Sequence, residues 1–104
     1  MDVYEVSLTE PAENDLRDIY RYIAYQLLSP STALNMVRTI RQATAGLKTT
    51  ALSHPLVRDE RLASAGYRPL VVKNYIAFYI ADPKKKVVNV ERILHGRRDW
   101  ANLL

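Results

Sequence analysis

The stretch YRPLVVKNYIAFYIADPKKKVVNVERIL, residues 67–94, decides the fold class because it predicts three consecutive β-strands. The predicted strands cover residues 67–73, 74–81 and 86–94. Asp82-Pro83-Lys84 supplies the turn between the last two strands. The middle strand is almost continuously apolar, which is typical of a strand buried on both faces. The last strand has an apolar row that Arg92 interrupts, formed by Val88, Val90 and Leu94.

The segment before these strands begins with one strand and one helix. Residues 2–8 alternate between polar and apolar side chains, as in a strand with one apolar face. Thr9 is a good helix N-cap and Pro11 suits the first turn, so we expect a helix that ends near Leu28. Its apolar side chains recur at helical spacing and are Ala12, Leu16, Ile19, Tyr20, Ile23 and Leu27.

Ser29 and Pro30 end that helix and begin a second one, with Ser29 as its N-cap. The apolar positions of the second helix are Ala33, Val37, Ile40, Thr44 and Leu47. So short a break between two long helices implies an antiparallel helical hairpin. Residues 48–66 then lose all periodicity and predict a surface loop.

The predicted order of elements is β-αα-βββ, in a single domain that spans residues 1–104. We expect an α+β fold in which a twisted, antiparallel-rich sheet packs on the N-terminal helical hairpin. One hairpin covers only one face of the sheet, so the second apolar face lacks cover. Two interpretations are open: the sheet curls on itself beneath loop 48–66, or a partner protein lies across it.

Composition excludes several classes of function. The 104 residues include no cysteine, which excludes disulfides, thiolate metal sites and thiol nucleophiles. Only His54 and His95 remain as nitrogen ligands, and we expect neither a metal nor a cofactor. The longest charge-free run, residues 22–37, contains polar residues and Pro30, so it does not span a membrane. Acidic residues stand where a secretory signal needs positive charge, and we expect a cytoplasmic protein.

The net charge of +4 divides unevenly along the chain. Residues 1–33 carry six acidic and two basic side chains, a charge of −4. Residues 34–104 carry thirteen basic and five acidic side chains, a charge of +8. A basic portion of this size attracts polyanions or acidic proteins. Charge therefore indicates an anionic partner.

His95, at the end of the last predicted strand, is followed by Arg97 and Arg98. A histidine titrates near neutrality, and adjacent cations stabilise a phosphate-centred transition state. Arg68 would face the same groove if its strand and the last strand were neighbours. Together these residues would support metal-free cleavage of RNA, in which the 2′-hydroxyl attacks the adjacent phosphate. Taken singly, His95 is better explained as a strand-end residue with a satisfied hydrogen bond, and Arg68 as a structural cation over an aromatic ring.

Four further residues are candidates for binding a partner. Tyr22 and Tyr25 lie beside the core stripe of the first helix rather than within it. Arg92 interrupts an apolar row, and Trp100 is the last aromatic residue of the chain. We expect these four side chains to contribute to a protein–protein interface.

Four segments, in this order, resemble the RelE/ParE superfamily of toxins. They are DLRDIYRYIA from residue 15, the Ser-Pro that opens the second helix, GYRPLVVKNYIAFYI from residue 66 and VERILHGRRDW from residue 90. The resemblance covers nearly the whole chain, and its order of elements agrees with β-αα-βββ. It implies a toxin of a type II toxin–antitoxin pair, wrapped by the C-terminal segment of a cognate antitoxin.

The resemblance implies one of two activities. RelE-like members are ribosome-dependent mRNA endonucleases, and their catalytic residues are several basic side chains and a tyrosine or histidine near the C-terminus. ParE-like members poison DNA gyrase instead and lack these catalytic residues. Arg68 and Arg98 match RelE-like arginines, but the C-terminal tyrosine is absent and the lysine-rich stretch ahead of the sheet is thin. The long hairpin and the ending LHGRRD favour the ParE-like branch.

We therefore expect DNA gyrase as the cellular target, with the ribosome and mRNA as the alternative. Arg68, His95, Arg97 and Arg98 are expected to be catalytic only in that alternative. A third hypothesis is a non-enzymatic interaction module whose positive charge recruits its partner.

Overall fold

The computed structural model describes residues 2–104 and confirms the predicted α+β fold. The elements, in chain order, are β1 (Glu5–Leu8), α1 (Glu10–Arg21), a π-helical turn (Tyr22–Gln26), α2 (Pro30–Ala45), α3 (Leu47–Thr50), α4 (Glu60–Ser64), β2 (Tyr67–Val72), β3 (Tyr75–Asp82), β4 (Val87–His95) and α5 (Trp100–Leu103). The sheet order is β1-β4-β3-β2; β1 is parallel to β4, and the other pairs are antiparallel. No helix within the described range is both long and apolar enough to cross a membrane.

The first helix begins where the sequence predicts but ends earlier. The Thr9 hydroxyl accepts a hydrogen bond from the first turn of α1 (3.2 Å) and donates one to the Glu91 carbonyl (2.9 Å), so this N-cap also ties α1 to β4. α-Helical geometry stops at Arg21 and the helix continues as the π-helical turn to Gln26, so the helix predicted to end near Leu28 changes geometry at Tyr22 and ends about two residues early. The π-helical turn widens the helix and shifts its phase. As a result Leu27, predicted in the core, is 57% exposed.

The two long helices form the predicted antiparallel hairpin. Glu13, near the start of α1, accepts two hydrogen bonds from Arg41, near the end of α2 (2.8 and 3.1 Å). These bonds lower the pKa of Glu13 below its ordinary value. Ser29 precedes α2 as predicted, but its hydroxyl donates to the Thr32 hydroxyl instead of capping a backbone amide.

The main core lies between the hairpin and the sheet. Tyr79, at the centre of β3, is fully buried, and its hydroxyl donates to the Ala51 carbonyl (2.8 Å). Burial raises the pKa of Tyr79 to about 12. Tyr4 is also buried, but its hydroxyl has no hydrogen-bond partner among residues 2–104. The other fully buried side chains of this core include Leu16, Ile40, Leu47, Val88, Val90 and Ile93.

A β-bulge in β4 changes which side chains face the helices. Phe78 pairs with Arg92 and Tyr79 pairs with Val90, so Glu91 is an extra residue without a partner in β3. The bulge reverses the alternation of side chains beyond it. The apolar row of β4 therefore continues from Val88 and Val90 to Ile93, and the predicted continuation to Leu94 is wrong; Leu94 faces the other side of the sheet.

The second face of the sheet is covered by the chain itself. Phe78 and Leu94 pack there with Val57 and Leu62, which belong to the segment predicted to be a surface loop. α5 completes this cover, with Trp100 against Phe78 at a ring-centroid distance of 5.1 Å. The interpretation in which residues 48–66 cover the face is thus the correct one, because that segment contributes α4 and buries Val57 and Leu62 against Phe78 and Leu94. The sheet does not need a partner protein to cover it.

Candidate functional site

A groove of about 700 Å³ opens where the hairpin meets the end of the sheet. One wall is formed by α1, the π-helical turn and α2, and the other by the start of β3 and the end of β4. Three predicted site residues line this groove, namely Tyr22, His95 and Arg98. Asp18 and Asn74 line it as well, so the groove carries both acidic and basic groups.

The turn after β4 holds His95 in a defined orientation. His95 pairs with Tyr75 in the sheet, and the two rings make an edge contact at 5.5 Å. Its Nδ1 accepts a hydrogen bond from the Arg97 amide (3.1 Å), which leaves the proton of the neutral ring on Nε2. Its carbonyl accepts from the Arg98 amide (3.0 Å). The structure therefore brings His95, Arg97 and Arg98 together, with both arginine side chains exposed.

Arg68 lies far from this turn. It is at the start of β2, paired with Tyr79, and its guanidinium donates to the His54 carbonyl. β3 lies between β2 and β4 in the sheet. Arg68 and His95 were expected to face one groove only if β2 and β4 were neighbours, and that condition is not met. Tyr79 and Tyr75, the β3 residues opposite Arg68 and His95, are four positions apart, which is about 13 Å along the strand. The predicted combination of Arg68 with His95 is not assembled in this chain.

The turn of the hairpin exposes a group of large apolar side chains, which we call the hairpin patch. Its members are Tyr22, Tyr25, Leu27 and Leu28, exposed by 50%, 69%, 57% and 83%. Leu28 has a φ of 54°, a left-handed conformation that is rare for a residue with a large side chain. The sequence indicated the two tyrosines but not the leucines, because the π-helical turn that exposes Leu27 has no clear sequence signal.

Arg92 and Trp100, the other two predicted partner-binding residues, make contacts within the chain. Arg92 forms an ion pair with buried Asp15 on α1 and donates to the Leu103 carbonyl. The hydrogen bonds that Arg92 donates to the Asp15 carboxylate raise the pKa of Arg92 above its ordinary value. Trp100 packs on Phe78 in the apolar cluster on the second face of the sheet. Both side chains therefore stabilise the C-terminal segment.

A smaller cleft of about 240 Å³, which we call the turn cleft, adjoins the larger groove and shares Asn74, Tyr75 and His95 with it. It is bounded by the β2–β3 turn and the turn after β4, and its polar side chains are those of Lys73, Asn74, Tyr75, His95 and Arg97. Sequence reasoning missed Lys73 and Asn74, because only the register of three strands places their turn beside His95.

Comparisons with known proteins agree with this fold. Residues 6–100 match the family model described as the ParE toxin of the type II toxin–antitoxin system parDE. The chain is similar to a solved structure of the chromosomal ParDE toxin–antitoxin system from P. aeruginosa, with 23% identity, a TM-score of 0.74 and coverage of 89% of this chain and 96% of that one. It is also similar to the toxin–antitoxin complex RelBE2 from Mycobacterium tuberculosis, with 19% identity, a TM-score of 0.58 and coverage of 89% and 98%. No curated protein sequence matches the chain.

Proposed function

Because the chain belongs to the ParE toxin family of type II toxin–antitoxin systems, we propose that it inhibits growth by acting on DNA gyrase. The separation of Arg68 from His95 is the observation that carries this choice over RNA cleavage. Acid–base cleavage of a phosphodiester needs its catalytic groups within hydrogen-bond reach of one substrate. Arg68 is held on the far side of β3 by the His54 carbonyl, which leaves the predicted nuclease set incomplete. The action takes place in the cytoplasm, where gyrase and its DNA are located.

A cognate antitoxin is the second partner in this proposal. Both similar solved structures are described as toxin–antitoxin systems or complexes. On this chain the hairpin patch exposes four large side chains within seven residues, and two of them, Tyr22 and Leu27, line the 700 Å³ groove. Exposed tyrosines with neighbouring apolar side chains are typical of the centre of protein–protein interfaces. Tyr22 and Tyr25 are the residues we assign to antitoxin contact.

One observation favours the alternative, ribosome-dependent cleavage of mRNA. His95, Arg97 and Arg98 lie on a single turn, and His95 and Arg98 line the larger groove. Beside these two cations, the Nε2–H group of His95 would act as the general acid of a metal-free nuclease, even without Arg68. In this alternative the substitution His95→Ala abolishes activity, whereas Arg68→Ala has little effect.

Two assays with the purified chain separate the hypotheses. The first measures supercoiling of relaxed plasmid by gyrase, and the second measures the integrity of mRNA in a translating extract. Inhibited supercoiling with intact mRNA supports the gyrase proposal, and cleaved mRNA that requires His95 supports the alternative. If expression without an antitoxin leaves growth unchanged and neither assay responds, only the interaction module remains.

A further inference from the structure

The turn cleft concentrates positive charge at one end of the sheet. Lys73 and Arg97 face it from two different turns, and both side chains are exposed. Neither takes part in any of the ion pairs within residues 2–104. Among residues 2–104 no carboxylate lines the cleft, whereas Asp18 and the ion-paired Asp15 line the adjoining larger groove together with Arg98. The turn cleft therefore presents cations without lining carboxylates, and it is better suited to an anion than the larger groove is.

The backbone holds these groups in place. The Gly96 amide donates to the Asn74 carbonyl (2.8 Å), which ties the turn after β4 to the β2–β3 turn. The Nδ1 atom of His95 is already occupied as an acceptor, so the available group of its neutral ring is the Nε2–H donor. Lys73 has a φ of 56°, the conformation that lets β2 reverse into β3 within two residues. The cleft therefore does not require a large rearrangement to receive a ligand.

The donors of the turn cleft match a phosphate group. A lysine ammonium acts as a point charge, and an arginine guanidinium binds two oxygens through parallel N–H groups. The His95 ring and the Asn74 side-chain amide add further N–H donors. These are side chains of the kinds that contact phosphate oxygens in protein–DNA complexes, and such contacts orient a protein on the duplex without reading its sequence. The open shape of the cleft suits a phosphate within a chain.

We propose that the turn cleft binds a backbone phosphate of duplex DNA, with Lys73 and Arg97 as the main contacts. This inference rests on the proposed function, because gyrase holds duplex DNA while it acts and a protein bound to gyrase meets that DNA. The toxin would then contact both components of the gyrase–DNA complex. Lys73 orients the chain on the DNA backbone in this proposal.

The test measures binding of the full chain to a short fluorescent DNA duplex at several salt concentrations. The double variant Lys73→Gln, Arg97→Gln removes both cations without adding bulk. The matched control, Lys84→Gln, Lys85→Gln, removes the same charge from the β3–β4 turn at the opposite end of the sheet, where both side chains are exposed. We expect the first variant to bind DNA about tenfold more weakly. The slope of the logarithm of its binding constant against the logarithm of salt concentration should become shallower by about two. The control should change affinity by less than about twofold.

An equal loss in both double variants would overturn the proposal, because it would show attraction by net charge alone. Retained affinity in the Lys73, Arg97 variant would overturn it as well, provided that thermal unfolding shows both variants folded. The same measurement is repeated with single-stranded RNA of the same length. If the Lys73, Arg97 variant lost affinity for RNA but not for duplex DNA, the assignment to duplex DNA would be contradicted. The gyrase assay is independent of this result. A chain that binds DNA through the turn cleft but leaves supercoiling unchanged would refute the proposed function and not the DNA site.

Discussion

Asp15 on α1 and Arg92 on β4 form a bidentate ion pair, with distances of 2.7 Å from Nε to Oδ2 and 3.0 Å from Nη2 to Oδ1. The same carboxylate accepts the Ile93 amide (2.9 Å), and Nη1 of Arg92 reaches the Leu103 carbonyl (3.2 Å). β1 pairs with β4 only as far as Val90, so Asp15 satisfies an amide on the stretch of β4 edge that β1 leaves uncovered. One buried carboxylate thus joins the hairpin, the sheet and α5.

Asp15→Asn should lower the free energy of unfolding by about 2 kcal/mol, because the amide cannot accept all three hydrogen bonds and leaves Arg92 without its counter-charge. Denaturation by urea measures this change. Asp18→Asn is the matched control, since Asp18 is exposed on the same helix and makes no ion pair within residues 2–104. We expect the control to change stability by less than about 0.5 kcal/mol. Equal losses in the two variants would contradict the role of Asp15.

Replacing a buried tyrosine by phenylalanine should change the free energy of unfolding differently at Tyr79 and at Tyr4. Tyr79→Phe removes the hydrogen bond to the Ala51 carbonyl and should lower the free energy of unfolding by about 1 kcal/mol. Tyr4→Phe removes a buried hydroxyl that has no partner in the described chain, so stability should stay the same or rise by up to about 1 kcal/mol. Thermal or urea unfolding of both variants tests the pair. A loss at Tyr4 as large as that at Tyr79 would show that the Tyr4 hydroxyl is hydrogen-bonded.

The Glu13–Arg41 pair should make stability depend on pH in the acid range. The pKa of Glu13 is lowered in the folded chain by its hydrogen bonds from Arg41, so the contribution of the pair is present above the ordinary glutamate pKa of 4.5. This contribution is lost as the pH falls through the lower, folded value. Because both side chains are partly exposed, the pair should contribute only about 0.5 kcal/mol at neutral pH.

Glu13→Gln tests this prediction by comparing its free energy of unfolding with that of the parent chain at pH 7 and pH 3. The difference should be present at pH 7 and disappear at pH 3. Glu5→Gln is the control, because Glu5 is exposed on β1 and has no ion pair within residues 2–104. A difference for Glu13→Gln that persists unchanged at pH 3 would rule out the ion pair as its source.

The hairpin patch should dominate the affinity for the antitoxin. Tyr22→Ala combined with Tyr25→Ala should weaken binding of the purified cognate antitoxin at least about tenfold, because buried aromatic side chains supply much of the energy of an interface. Calorimetric titration measures the change. Leu52→Ala is the control, since Leu52 is an exposed apolar residue of similar accessibility outside the patch. Equal affinities for the double variant and the control would place the antitoxin on another surface.

The fold could be predicted from sequence where local chemistry determines it. Thr9 with Pro11 marks the start of α1, Ser29 with Pro30 marks the start of α2, and the apolar segment of β3 indicates a strand buried on both faces. The π-helical turn was not predictable, because its hydrogen bonding is decided by packing against α2 and not by residue type. Arg92, which interrupts the apolar row of β4, is the one local sign of the bulge at Glu91, and a plain alternation that runs on to Leu94 also accommodates it.

The candidate site was harder to predict than the fold. His95, Arg97 and Arg98 are adjacent in sequence, so their proximity was certain. Arg68 was grouped with them on the assumption that β2 and β4 are neighbours, and strand order is a tertiary property that sequence periodicity does not report. Lys73 was missed for the same reason, because its turn meets His95 only through the register of β3 with both of its neighbours.

Inhibition of DNA gyrase is tested most directly by titrating the purified toxin into gyrase and relaxed plasmid and measuring the supercoiled fraction. We expect this fraction to fall as toxin is added and to recover when the antitoxin is added. His95→Ala should still inhibit, because no acid–base step is involved, and any weakening should be no larger than the loss of one hydrogen-bond donor from the turn cleft. Unchanged supercoiling at every toxin concentration, together with His95-dependent cleavage of mRNA in a translating extract, would contradict the gyrase proposal.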